Sequence, residues 1–428
     1  MGSSRSLSNL SKQTKSKMQI QSTHDKIKNF VQKKFRVSRS YSTRDGYESA
    51  INRFIEFVRI QYNLDMEQLL RMIKETKEID PISVLDDYYT YLSNYKKSTA
   101  KTGYAGATIK YYINVTKEFL NYEGCKIYNE DVKQRFKLPR KTLVYEKGLT
   151  KETINRLIRL ANPKLATTIL IACSSGMRIS EIVQLRLSDI DFTKNPTTIT
   201  IRKETAKTRQ TRVTCITSET TVALKDYLRQ YLAWHENYNE DRHILLSTFE
   251  ERIKRLEEKL QQNNYNVELY RGQDKKRLAL LEKQLETLGE DELYARSVKT
   301  TKHSLENQLR NIVNSIPELD TKNDNGRNSI HFHAFRAWFK TQVTDAHQSD
   351  FAESLMGHTS LKLVYYRQNE NARKETYLKI EPFLTIADTT KIEIKYEKLE
   401  EENLDLRKIV EGLSIQLQNL EKRIENKA

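Results

Sequence analysis

The chain has 428 residues, and 73 Lys and Arg against 57 Asp and Glu give it a formal net charge of +16. That size and charge predict two folded domains and a polyanionic partner, most often nucleic acid. No stretch approaches the roughly 20 apolar residues of a membrane span, the start (Met1-Gly-Ser-Ser) carries no secretory h-region, and Cys125, Cys173 and Cys215 lie too far apart for a disulfide framework or a thiolate zinc cluster.

A reducing, cytoplasmic setting is therefore expected. Only 12 Gly and 6 Pro beside 30% charged residues favour long helices. Residues 1–40 carry ten Lys or Arg against one acid, Asp25. Residues 1–39 read as a disordered basic arm, with order beginning near Ser40. A helical domain follows over 40–133. Tyr47, Ile51, Phe54, Ile55 and Val58 form a stripe at steps of three and four, and further helices are predicted over Met66–Lys74, Ile82–Ser93 and Ala107–Glu123. On the last of these, Lys110 and Lys117 belong to a cationic face opposite the core face.

Residues 134–148 are basic, extended by Pro139 and without a helical stripe, and read as a linker carrying Arg140, Lys141 and Lys147. The second domain, 149–387, opens on a helix with Thr150 as N-cap. Thr197–Arg202 and Arg212–Ile216 alternate and are β-branched, predicting a β-hairpin whose tip is Lys203–Thr211. Phe249, Ile253, Leu256 and Leu260, then Leu278, Leu281, Leu285 and Leu288, predict a helical hairpin inserted at about 249–290. Its turn is expected in Asn263–Asn266 and Arg271–Asp274. Over 388–428, Tyr396, Leu399, Asn403, Leu406, Val410, Leu413, Leu417, Leu420 and Ile424 make a coiled-coil seam, with Asn403 as a register-setting polar position.

Four segments carry chemistry. In Ser175-Gly-Met-Arg178-Ile-Ser-Glu181, Gly176 ends a helix and Arg178 and Glu181 sit one turn apart, a pair that alone is ordinarily a surface ion pair. Lys207 lies on the hairpin tip, where a lysine alone is ordinarily solvated. In His331-Phe-His333-Ala-Phe-Arg336, helical spacing puts His333 and Arg336 on one face and Phe332, Phe335 and Phe339 on the other. In Leu355-Met-Gly357-His358, Gly357 ends a helix, and Tyr365 and Tyr366 follow. Together these are the groups that would surround a phosphodiester. Arginine forks match phosphate oxygens, imidazoles add hydrogen bonds, tyrosine is a nucleophile and lysine a proton donor.

In this order the motifs resemble the tyrosine recombinase (phage-integrase-type) family, over roughly Ser40 to Ile386. The resemblance implies a mainly α fold with a small β-sheet, a helical core-binding domain plus a mixed α/β catalytic domain, to which the heptads add a C-terminal coiled coil. It implies Arg178, Lys207, His333, Arg336 and His358 as catalytic residues, and Tyr365 as nucleophile with Tyr366 as the alternative. Glu181 becomes a supporting acid. Ala337 stands where the family usually has a further histidine, and the tyrosines follow His358 by seven and eight positions where eight or nine is usual.

A recombinase of this kind clamps double-stranded DNA, forms a 3′-phosphotyrosyl link without metal or cofactor, and works as a dimer on a site and a tetramer in the synapse. Two alternatives stay open on sequence: a type IB topoisomerase-like enzyme, and a non-catalytic architectural DNA binder.

Overall fold

The structure, a computed structural model, describes residues 24–95, 103–135, 137, 148–233, 241–262, 268–321, 328–357 and 369–387. The described residues fall into two units, one within 24–137 and the other within 148–387.

The first unit is helical throughout. Helix α1 (residues 24–38) buries Ile27, Phe30 and Val31 in the core, so order begins well before Ser40. The basic composition of this segment hides an i, i+3, i+4 apolar stripe. Phe30 packs edge-on against Phe119, ring centroids 5.4 Å apart, while Lys34 turns outward to Glu118 at 2.6 Å. Helix α2 (Tyr41–Tyr62) starts at Ser40, whose side chain accepts from the Thr43 amide, and buries Ile51, Phe54 and Val58 of the expected stripe. Helix α3 (Met66–Arg71) is closed by an Asp65–Gln68 capping box and runs on into a π turn, Met72–Thr76. Helices α4 (Pro81–Asn94) and α5 (Gly106–Tyr122) complete an aromatic core in which Tyr88 lies against Phe54 and Phe57.

Helix α6 (Asn129–Arg135) buries Val132 and pairs Arg135 with Asp80 at 2.7 Å, so the helical domain extends past the expected start of the linker at 134. Arg140, Lys141 and Lys147 lie outside the described residues.

The second unit is organised on helix α8 (Pro163–Ser175), of whose 13 residues ten are buried, which makes it the centre of the unit rather than a face of it. It follows α7 (Lys151–Leu160), capped by Thr150 as expected. After a single turn, α9 (Ile179–Ile182), comes a three-stranded antiparallel sheet in the order β1 (Ile190–Asp191), β2 (Thr197–Ile201), β3 (Arg212–Ile216). The register pairs Thr197 with Ile216 and Ile201 with Arg212, which fixes the loop 202–211 as the hairpin tip.

Helix α10 (Ser218–Ala233) is followed by the inserted pair α11 (Phe249–Gln262) and α12 (Glu268–Thr287). The expected turn residues Asn263–Asn266 lie outside the described residues. The expected break at Arg271–Asp274 is absent, because α12 runs straight through it. Gly272, half-buried, has open space where a Cβ would stand, and a glycine inside a helix costs only about 1 kcal/mol. The insertion returns through a long helix, α13 (Glu290–Asn314), which buries Ser297, Thr301, Leu305, Leu309 and Val313 at four-residue intervals. Helices α14 (Phe332–Asp345), α15 (Ser349–Met356) and α16 (Glu370–Leu384) complete the unit. The fold is mainly α with one small sheet. The heptads over 388–428 lie outside the described residues.

Candidate active site

Two helix ends build the site. Helix α8 stops at Gly176 in the left-handed region (φ 63°), where a Cβ would also stand 2.4 Å from the Phe339 ring, so only glycine fits. Helix α15 stops in the same way at Gly357 (φ 67°), where a Cβ would meet the Arg212 side chain at 2.8 Å. Both ends leave carbonyl oxygens without helical partners, and the helix dipoles make such ends negative.

Arg336, on α14 and only 2% exposed, reaches into this junction. Its Nη1 donates to the Gly176 oxygen and its Nη2 to the Met356 oxygen at 2.8 Å. The remaining α8 carbonyls are met from other elements. Thr214 Oγ1 donates to the Ser175 oxygen at 2.9 Å, and the buried Tyr377 hydroxyl donates to the Ser174 oxygen at 2.7 Å.

Glu181 is the electrostatic centre. It is 2% exposed and accepts from the Arg178 amide (2.9 Å), Arg178 Nη1 (3.1 Å), and Arg212 Nη1 and Nη2 (3.2 and 2.6 Å). Arg212 Nε also donates to the Leu355 oxygen at 3.0 Å, tying β3 to the last turn of α15. Burial pushes the Glu181 carboxyl up, but the hydrogen bonds and charge of Arg212, then those of Arg178, outweigh it and hold the group below its ordinary range. Burial, then the neighbouring Arg178, lowers Arg336 to about 10, with Glu181 opposing and Arg212 adding to the repulsion. At neutral pH, three guanidiniums therefore surround one carboxylate, leaving an excess of positive charge in a half-buried place. Such an arrangement is complementary to a phosphodiester gaining negative charge.

Arg178, Glu181 and Arg336 are thus brought together, and the Arg178–Glu181 pair is a buried anchor rather than a surface pair. His333 and Arg336 stand one turn apart on α14 but differ in burial. His333 is exposed, while Arg336 is buried among Phe332, Phe335 and Phe339. Three residues advance a helix by about 300°, and the remaining 60° is enough to separate surface from core. The neighbouring His331 caps α14, its Nδ1 accepting from the Ala334 amide at 3.1 Å.

Lys207 is exposed on the hairpin tip. The loop before it is pinned by the buried Ala206 and by Arg202, whose guanidinium reaches Asp189 at 3.0 Å and the Gln184 oxygen at 2.8 Å. His358, Tyr365 and Tyr366 lie outside the described residues, directly after the Gly357 cap. In the first unit Lys110 is exposed, whereas Lys117 donates to Asn129 at 2.8 Å.

Sequence reasoning missed Arg212. The signal was present: along β3 it is in phase, at period two, with Thr214 and Ile216, which are buried. An arginine on the core-facing side of a strand needs a buried partner, and Glu181 is that partner.

Among the described residues no three His, Cys, Asp or Glu side chains are grouped as a metal site, and no helix is long and apolar enough to cross a membrane. The profile of the Phage integrase family matches residues 147–373, more than half of the chain. The chain belongs to this family and is a site-specific DNA recombinase of the tyrosine recombinase type.

No curated protein matches the chain. Among solved structures it is similar to XerA recombinase (17% identity over 83% of this chain and 98% of that chain, TM-score 0.32). It is also similar to XerH recombinase bound to its difH substrate (17%, 78% and 76%, TM-score 0.44). A third is a lambda integrase (75–356) dimer bound to a COC′ core site (15%, 81% and 95%, TM-score 0.46).

Proposed function

We propose that Arg178 and Arg336, positioned by Glu181 and Arg212, receive the scissile phosphate of double-stranded DNA, and that strand exchange passes through a 3′-phosphotyrosyl link. The observation carrying this reading is the set of three guanidiniums fixed around one buried carboxylate and two helix-end carbonyls. Arg178 and Arg336 hold the non-bridging oxygens, and His333 and His358 add hydrogen bonds as charge builds. Tyr365, with Tyr366 as the alternative, attacks phosphorus. The P–O5′ bond breaks and Lys207 delivers a proton to the departing 5′ oxygen. A 5′-hydroxyl from the partner duplex then attacks the phosphotyrosine and releases the tyrosine, so bond energy is conserved through the exchange.

Lys110, Arg140, Lys141 and Lys147 supply backbone contacts with no sequence information of their own. Lys117, engaged with Asn129, adds charge to the same surface. Two protomers on a site and four in a synapse complete the reaction, with the segment after Tyr377 and the heptads of 388–428 serving assembly.

Nicked suicide duplexes carrying candidate sites test the reading. After denaturation, wild type is expected to leave a protein–DNA adduct that is lost in Tyr365→Phe and kept in Tyr366→Phe. The reverse pattern moves the nucleophile to Tyr366. An adduct that persists in both variants contradicts the tyrosine assignment. Relaxation of supercoils on DNA with a single site would favour the topoisomerase-like alternative.

A further inference from the structure

The inserted helices α11 and α12 contribute nothing to the cluster on Glu181, yet with α13 and the start of α8 they close a second cationic site. A cavity of about 290 Å³ opens between them. Lys164, Arg252, Arg255 and Arg277 line it, Ser304 adds a hydroxyl, Leu281 forms part of the floor, and no carboxylate is among the lining residues. Lys164 stands in the first turn of α8, and Gly176 caps the other end. At 1.5 Å per residue the two ends are about 18 Å apart, so this cavity is distinct from the catalytic cluster.

We propose that this cavity binds a small phosphate-bearing anion, of the size of inorganic pyrophosphate or the phosphates of a nucleotide.

Three observations support the assignment. The cations outnumber the charge that meets them: one carboxylate, Glu251, acts on Lys164, pairs with Arg255 at 3.7 Å and also holds Arg242 at 2.8 Å. Arg252 Nη1 is buried and has no hydrogen-bond partner among the described residues, while the guanidinium carbon lies 5.1 Å from the Phe249 ring centroid, so the residue is held with a donor left over. The charges also disfavour one another. Burial, then Arg255, lowers the Lys164 ammonium to about 8 with Glu251 opposing, and burial, then Arg277, lowers Arg252. An anion seated among them reverses that penalty. Lys164 donates to the Ser247 hydroxyl at 3.1 Å, which holds it in place for a ligand.

The recess favours a small anion over a duplex. Arg255 and Arg277 are exposed at the rim, but Lys164 sits behind them, and a convex double helix reaches only the rim.

Titration calorimetry of the full-length protein with inorganic pyrophosphate, at low salt and pH 8, tests the proposal. Wild type is expected to bind one pyrophosphate per chain, and the double variant Arg252→Gln/Arg277→Gln at least tenfold more weakly. The proton balance of binding, read from buffers of different ionisation enthalpy, includes protons released by pyrophosphate itself. Near pH 8 wild type should take up more, or release fewer, protons than Lys164→Met, because the bound anion returns Lys164 towards its ordinary value, and at pH 6 that difference should vanish. Without ligand the double variant should melt no lower than wild type, since it relieves repulsion. A lower melting temperature, absence of saturable binding, or equal affinity in wild type and variant overturns the proposal. Affinity for a 16-base-pair duplex without a recombination site is expected to be unchanged. Its loss in the double variant, with no pyrophosphate binding, assigns the cations to DNA backbone instead and also overturns it.

Discussion

The catalytic cluster and the cavity under the inserted helices both gather cations inside one unit, and they differ in what faces the charge. Around Glu181 every guanidinium has a fixed acceptor: Arg178 and Arg212 share the carboxylate, and Arg336 takes two helix-end carbonyls. Around Lys164 four cations line one cavity with a single carboxylate, Glu251, acting on Lys164 and pairing with Arg255, and Arg252 keeps a buried donor without a hydrogen bond. The first arrangement is organised before any ligand arrives, which is what transition-state stabilisation requires. The second, on the reading proposed for it, is completed only by an anion. Similar side chains are thus proposed to give a reactive site in one place and a receptor in the other.

Breaking the compensated side has the largest expected effects. Arg336→Ala strands the Gly176 and Met356 carbonyls and is expected to cost about 1–3 kcal/mol per unsatisfied group, with adduct formation down at least 100-fold. Arg336→Lys should recover part of the stability but little of the cleavage, because an ammonium cannot span both carbonyls as a planar fork does. Denaturant melts and single-turnover cleavage separate the two effects.

Glu181→Gln leaves two arginines without their anion. Breaking a buried pair typically costs about 3–5 kcal/mol. The pH dependence is specific. The folded Glu181 carboxyl titrates below its unfolded value near 4.3, so its contribution is complete above that pH and is lost as pH falls through the lower folded value. Acid-unfolding curves of Glu181→Gln should therefore be shallower below pH 4.3 than those of wild type.

Lys164 gives the matching test on the side where cations are in excess. Its folded value of about 8 lies below the unfolded value near 10.4, so the unfolded chain holds the proton more tightly and stability rises as pH climbs between them. The gain is up to about 3 kcal/mol, and stability measured from pH 7 to 10 should show it in wild type but not in Lys164→Met.

Smaller effects sharpen the comparison. Arg212→Met should slow cleavage about tenfold or more while leaving DNA affinity unchanged, since Arg212 acts through Glu181 and the end of α15 rather than on DNA. A fall in cleavage rate at constant affinity distinguishes this from a general loss of fold. Tyr377→Phe removes one buried hydrogen bond, costs about 1 kcal/mol, and leaves adduct formation intact, because that hydroxyl is committed to the Ser174 carbonyl.

Much of this was legible from residue spacing. Gly176 and Gly357 as helix ends, Thr150 as a cap, and both hairpin strands follow from local chemistry, and local chemistry is what a sequence displays. What escaped depended on distant partners. Arg336 reads as a surface neighbour of His333 until two glycine-capped helix ends 180 residues apart converge on it. Arg212 reads as a strand-edge cation until Glu181 is seen behind it. In α1 the lysines outnumber the three apolar residues that matter, and composition concealed a stripe that spacing would have shown. The break expected at Arg271–Asp274 failed because one glycine is too weak a signal to end a helix supported on both sides.

The most direct test of the central claim replaces the scissile phosphate with a methylphosphonate, which removes its negative charge. If the cluster acts by neutralising that charge, Arg178→Ala, crippled on ordinary DNA, should cleave the methylphosphonate duplex at a rate approaching that of wild type on the same substrate. A defect of equal size on both substrates would contradict the account.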